Sequence, residues 1–208
     1  MQGTRVIFIL DLSGSMKFKM NKAAATPTNP RKDDKQETSN RLDFALRELS
    51  RAMDSIAPNA SFNLITFNGG RDAEVWKKEM VPATEKNRDL FRKHLTKLEA
   101  DGGTNLWCAL EEALKIKSLV YDSRYTTNVD EIFILSDGAP SVGDVLDPVE
   151  ILRLVKESNR FAGMRINTIF ISSLNTEERQ QPMPWMTMTP EELMKRMAEE
   201  NGGKFVNL

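Results

Sequence analysis

Four short runs in the chain are largely apolar and lack the in–out alternation of a half-buried strand: 6–10 (VIFIL), 62–67 (FNLITF), 131–135 (EIFIL) and 166–171 (INTIFI). A strand that is apolar on both faces has to be covered on both faces, which is the situation of a central parallel strand between two layers of helix. The intervening segments change to the helical period. Over 41–56 the apolar positions are Leu42, Ala45, Leu46, Leu49 and Met53, and over 87–98 they are Leu90, Phe91, Leu95 and Leu98. A third helix is predicted over 105–117, its tail running on towards Val120. Asp147-Pro148 with Glu150, and Thr189-Pro190 with Glu192, each supply an N-cap, a proline in the first helical position and an acid in the first turn. Asn201-Gly202-Gly203 suits a left-handed C-cap, and 205–206 would form a last short strand. The more polar 74–80 (EVWKKEM) reads as an edge strand. Strands alternating with helices predict an α/β fold with a doubly wound, Rossmann-like sheet. It should be mostly parallel with one antiparallel edge strand and have helices on both faces.

At 208 residues the chain is the size of one ordinary domain. Two segments interrupt the pattern: a long loop at 17–40, with Pro27, Pro30 and many charges, and a Met/Trp-rich insertion at 180–189 beside the last helix. A formal charge of −1 gives no electrostatic reason to expect nucleic acid or an anionic membrane as partner. No apolar run approaches the ~20 residues that span a bilayer. The start, MQGTRVIFIL, lacks the regions of a signal peptide and runs straight into a strand. We therefore expect a monomeric domain cut from a longer protein, its compartment set elsewhere. Cys108 is the sole cysteine, so an intrachain disulfide or a thiolate zinc cluster is excluded.

Three polar clusters follow predicted strands or open a helix: Asp11-Leu-Ser13-Gly-Ser15, Asp101-Gly-Gly-Thr104-Asn105 and Ser136-Asp137-Gly138. In an open α/β sheet such loops converge outside the carboxyl ends of the strands, where the strand order reverses. Together Asp11, Ser13, Ser15, Thr104 and Asp137 offer two carboxylates and three hydroxyls. These are hard oxygen donors that suit Mg²⁺ best, or Mn²⁺ or Ca²⁺, and match zinc or copper poorly. Two carboxylates balance the dication, and neutral hydroxyls leave it able to take another carboxylate from outside. Gly14 would let the serine turn tighten, and Gly102-Gly103 would let backbone approach closely.

The order D-x-S-x-S, then T, then D resembles the von Willebrand factor A domain family, which includes the integrin inserted domains. FILDLSGSM, GGTNLWCAL, FILSDGAPSVGD and LMKRMAEENGGKFVNL look like its bacterial members, so the resemblance runs along nearly the whole chain. It implies an intact metal-ion-dependent adhesion site (MIDAS). Ser13 and Ser15 would bind the ion directly, Thr104 directly or through water, and Asp11 and Asp137 largely through waters. It also implies a protein partner that supplies an aspartate or glutamate carboxylate, and no catalysis. In several members partner binding couples to movement of the final helix, here 190–200.

Other residues have plainer readings. Asp101 and Asp144 read as turn residues, His94 as a surface or boundary residue, Cys108 as a small packed side chain, and Lys17, Lys19 and Lys22 as a solvated loop. Two other functions compete. A haloacid-dehalogenase-like phosphotransferase also carries an aspartate after its first strand, but Ser13 stands where that family has its second aspartate. A regulatory domain of an ATPase-containing assembly is the other. No phosphate-binding G-x-x-x-x-G-K-[ST] motif occurs.

Overall fold

The computed structural model describes residues 5–20, 40–114, 129–138, 140–160, 162–172 and 187–208. In chain order the strands are β1 (Arg5–Asp11), β2 (Ser61–Phe67), β3 (Glu74–Val75), β4 (Val81–Pro82), β5 (Glu131–Ser136), β6 (Arg165–Phe170) and β7 (Phe205–Asn207). They form one sheet in the order β3-β2-β1-β5-β6-β7, with β4 also paired to β2. Every pairing among β1, β2, β5, β6 and β7 is parallel. The helices are α1 (Arg41–Ser55), α2 (Glu85–Leu95), α3 (Leu106–Ala113), α4 (Pro148–Asn159) and α5 (Pro190–Glu200).

The alternating side chains of β1 explain why it is apolar throughout. Val6, Phe8 and Leu10 pack with Leu42, Leu49 and Met53 of α1 and Phe91 and Leu95 of α2. Ile7 and Ile9 point the other way, into a core built from α3, α4 and α5. Each face is thus covered by its own helical layer, as the two-faced runs require.

Helix starts follow local chemistry. Asn40 caps α1 reciprocally with Asp43, Thr84 caps α2, Asn105 caps α3, Asp147 caps α4 and Thr189 caps α5. Thr84 moves the start of α2 two residues ahead of the predicted 87. The described part of α3 ends at Ala113, and residues 115–117 of the predicted helix lie outside the described residues. Gly202, at φ +66°, gives α5 the left-handed ending, with the Gly203 N–H donating to the Ala198 carbonyl.

The antiparallel edge differs from the single strand read at 74–80. Two 2-residue pieces, β3 and β4, pair with opposite ends of β2. Between them the Asn63 side chain takes over the pairing, donating to the Lys77 carbonyl at 2.7 Å and accepting the Lys77 N–H at 3.2 Å. Trp76 turns inward there and stacks on Phe62, ring centroids 5.7 Å apart. His94 lies half-buried against that tryptophan. The buried Arg88 closes the far end of α1, donating to the carbonyls of Met53, Ile56 and Ala83.

Of the first insertion, residues 21–39 lie outside the described residues. Its base is pinched shut by a Lys19–Asn40 bridge and by the Arg41 N–H on the Phe18 carbonyl at 3.0 Å. Of the second, 180–186 lie outside. Met188 is buried in the core beneath α3–α5.

Candidate metal centre

The strand order turns back between β1 and β5, and their carboxyl ends carry Asp11 and Ser136-Asp137. A single 3₁₀ turn at Gly14–Lys17 follows β1 and brings the chain back over its own end. The loop before α3 is clamped onto that turn. The Asp101 N–H donates to the Leu12 carbonyl at 2.7 Å, and the Gly14 N–H donates to the Gly102 carbonyl at 2.8 Å. A Cβ on Gly14 would meet that carbonyl oxygen at 3.1 Å, and Gly102 sits at φ +77°, so both glycines are required by the close approach. Ser141 holds the other side of the same loop. Its hydroxyl accepts the Thr104 N–H at 2.9 Å while its own N–H donates to the Thr104 carbonyl.

Asp11, Ser13, Thr104 and Asp137 are buried and Ser15 is half-buried. Both oxygens of Asp11 are engaged. Oδ1 accepts the Ser13 N–H at 2.7 Å, and Oδ2 accepts the Ser136 hydroxyl at 2.6 Å. The hydroxyl oxygens of Ser13 and Ser15 stand 3.0 Å apart. Among the described residues no hydrogen bond joins the Thr104 hydroxyl to the other four; its loop reaches the site through the backbone clamps. Asp101 and Asp144 are exposed loop residues, and Asp101 pairs with Lys17 at 3.3 Å.

Two side chains complete the site that sequence reasoning did not select. Ser136 bridges Asp11 to the loop after β5, its oxygen also accepting the Gly138 N–H at 2.8 Å. Its hydroxyl was visible in the third cluster, but nothing local marked it as the partner of an aspartate 125 residues away. Arg41, the first residue of α1, reaches across with its guanidinium Nη1. It donates to Asp137 Oδ2 at 2.8 Å and to the Ser15 carbonyl at 3.3 Å. Both members of this ion pair are buried, their side chains 9% and 8% exposed. No sequence motif pointed to Arg41.

The electrostatics are those of crowded acids. Burial pushes the Asp11 carboxyl up to about 7, and the nearby negative charge of Asp137 adds to the effect. Hydrogen bonds from Ser136 and Ser13 oppose the rise without cancelling it. Arg41 supplies the compensating positive charge on one side only.

Whether these residues fit a divalent cation can be judged from what they leave unpaired. Asp137 Oδ1 and Arg41 Nε are buried and have no hydrogen-bond partner among the described residues. A buried carboxylate oxygen without a donor is costly, and a cation would satisfy it. Octahedral Mg²⁺ with oxygens at 2.0–2.1 Å needs adjacent donors about 2.9 Å apart, close to the Ser13–Ser15 separation. Among the described residues no three His, Cys, Asp or Glu side chains gather as a metal cluster. The residues fit a hard, oxygen-loving ion.

A family model for the von Willebrand factor type A domain matches residues 34–206. The match begins after the Asp11–Ser15 segment. Inter-alpha-trypsin inhibitor heavy chain 4 of Mus musculus is 32% identical over 155 residues, which is 74% of this chain and 14% of that protein. The chain thus spans about a seventh of that relative. Among solved structures, BatB from Bacteroides thetaiotaomicron superposes with a TM-score of 0.60 at 18% identity, covering 99% of this chain and 90% of that one. Proximal thread matrix protein 1 of the mussel byssus, solved with a zinc-occupied MIDAS motif, gives 0.54 at 15% identity over 98% of this chain and 41% of that one. At those identities the superpositions speak for the fold. The chain belongs to the von Willebrand factor type A domain family, whose domains mediate protein interactions.

Proposed function

We propose that residues 1–208 act as one non-enzymatic, metal-dependent protein-binding domain. Ser13, Ser15, Thr104, Asp11 and Asp137 would hold a divalent cation, preferentially Mg²⁺. Two observations carry this reading: Asp137 Oδ1 is buried with no hydrogen-bond partner among the described residues, and the Ser13 and Ser15 hydroxyl oxygens stand at ligand spacing, 3.0 Å apart. A bound dication would supply the electrostatic pull for an aspartate or glutamate side chain of a protein partner. Ser13 and Ser15 act as direct donors, because their hydroxyl oxygens face each other at the mouth of the 3₁₀ turn. Asp11 acts as a positioning residue: with both oxygens already accepting hydrogen bonds, it fixes the serine turn and contributes charge. The same engagement makes Asp11 a poor nucleophile, which supports a binding role over phosphoryl transfer. The MIDAS motif of the mussel protein takes zinc, so a shared fold does not select the ion. The all-oxygen donor set does, in favour of Mg²⁺ or Mn²⁺.

The test is calorimetry of the purified chain with Mg²⁺ and Mn²⁺, alongside Asp11→Ala and Asp137→Ala variants whose folding is checked by circular dichroism. We expect the wild type to bind and both variants to lose binding while remaining folded. Equal affinity in all three would overturn the assignment. Capture of partners with and without chelator then tests the second half. Turnover of a phosphate ester that depends on Asp11 would instead establish an enzyme.

A further inference from the structure

We propose that Arg41 is a resident counter-cation of this centre, which weakens the hold on the metal and leaves the loaded site electropositive. This rests on the metal reading above. The two carboxylates, Asp11 and Asp137, cancel the charge of a dication, so the loaded cluster without Arg41 would be neutral. The guanidinium adds one positive charge that cannot leave. It is bonded to Asp137 Oδ2 and to the Ser15 carbonyl, it is buried, and it is anchored in the first turn of a helix whose base is tied by the Lys19–Asn40 bridge. Arg41 and the metal do not exclude one another, because the pair consumes Oδ2 and leaves Oδ1 buried without a donor among the described residues. Asp137 would thus serve both, Oδ2 held by Arg41 and Oδ1 available to the ion.

Two consequences follow from elementary electrostatics. Arg41 repels a second cation across Asp137, at separations where the local dielectric is far below that of water, so metal affinity is lower than the donor set alone would give. The surplus charge is relieved when an anionic partner binds, so metal and carboxylate ligand stabilise each other. Arg41 is thus a positioning residue that makes tight metal retention conditional on a partner, and the guanidinium itself stays buried.

The experiment titrates Mn²⁺ into the full chain, reading free ion by electron paramagnetic resonance, for the wild type, Arg41→Lys and Arg41→Gln. Each variant is first melted in chelator to establish that it folds. Arg41→Gln is expected to bind Mn²⁺ roughly tenfold tighter or more, and Arg41→Lys, which keeps the charge, to stay within about threefold of wild type. Arg41→Gln binding no tighter, or Arg41→Lys tightening equally, would overturn the proposal. Binding by Arg41→Gln but not by wild type would refute the metal reading for the native chain and uphold the antagonism. Binding by neither would overturn both. If Arg41→Gln does not fold, arginine Nε–H resonances decide. The signal missing from Arg41→Lys should shift in the wild type as Mg²⁺ saturates, and an unmoved signal would overturn the proposal.

Discussion

Replacing Ser136 with alanine tests the direct side-chain contact between the ends of β1 and β5 at the site. Ser136 is fully buried, and its hydroxyl does two things at once. It donates to Asp11 Oδ2 at 2.6 Å and accepts the Gly138 N–H at 2.8 Å. The first bond is charge-assisted when Asp11 is ionised, and such bonds contribute about 1.5–3 kcal/mol. Alanine also leaves a buried N–H and a buried carboxylate oxygen without partners, each costing about 1–3 kcal/mol unless the loop relaxes. These terms overlap, so the expected net loss in the metal-free chain is about 2–4 kcal/mol. Urea denaturation in chelator at pH 8, where Asp11 is mostly ionised, should show this as a lower midpoint at unchanged slope. Metal binding should suffer as well, because removing the partner that orients Asp11 unfixes the serine turn. Support of this kind is worth about 10–100-fold in metal affinity, which Mn²⁺ titration would read. A stability loss under about 0.5 kcal/mol, with Mn²⁺ affinity within twofold of wild type, would refute the claim that Ser136 positions Asp11.

Three further outcomes are expected elsewhere in the fold. Arg88→Leu should destabilise the chain by about 3 kcal/mol or more, since three carbonyls at the end of α1 and before α2 lose their buried donor; chemical denaturation measures it, and a neutral result would mean that water replaces the guanidinium. Gly203→Ala should lower the melting temperature by several degrees, because a Cβ there overlaps the Ile166 carbonyl, a backbone atom of a central strand; an unchanged melting curve would contradict the packing of the α5–β7 turn on β6. The Cys108 thiol, pushed up to about 11 chiefly by burial, keeps its proton through the range in which an ordinary cysteine ionises. It should therefore resist alkylation at pH 9 in the native chain and react promptly in urea. By the same sign, the folded state binds this proton more tightly than the unfolded one, so stability declines as pH rises from about 9 towards 11.

What the sequence disclosed follows the range of the interactions involved. The four sheet strands were legible because burial on two faces writes itself into every position: Val6, Phe8 and Leu10 serve one core while Ile7 and Ile9 serve the other. Helix starts at Asp147 and Thr189 were legible because a cap, a proline and an acid act within four residues. The antiparallel edge is present but split into two short pieces, because a side chain competes with backbone there. Asn63 pairs with Lys77 through its amide, and nothing in EVWKKEM signals that a residue in another strand will interrupt the ladder.

The candidate site divides along the same line. Asp11 and Ser13 are two residues apart, and Ser13 and Ser15 two more, so the motif's spacing carries the geometry of the turn. Ser136 and Arg41 act at sequence separations of 125 and 96 residues, and only the fold reveals them. The difference matters chemically. The local motif specifies donors, and donors alone would describe a neutral site that simply holds its ion. The long-range partners set the charge. Ser136 favours the ionised form of Asp11 against the burial and repulsion that raise it, and Arg41 offsets Asp137. A chain with the same five motif residues but no cation at the head of α1 would be expected to bind metal more tightly and a carboxylate partner less well. Under the proposed metal-dependent binding, Arg41 would therefore shape partner capture as much as the motif does.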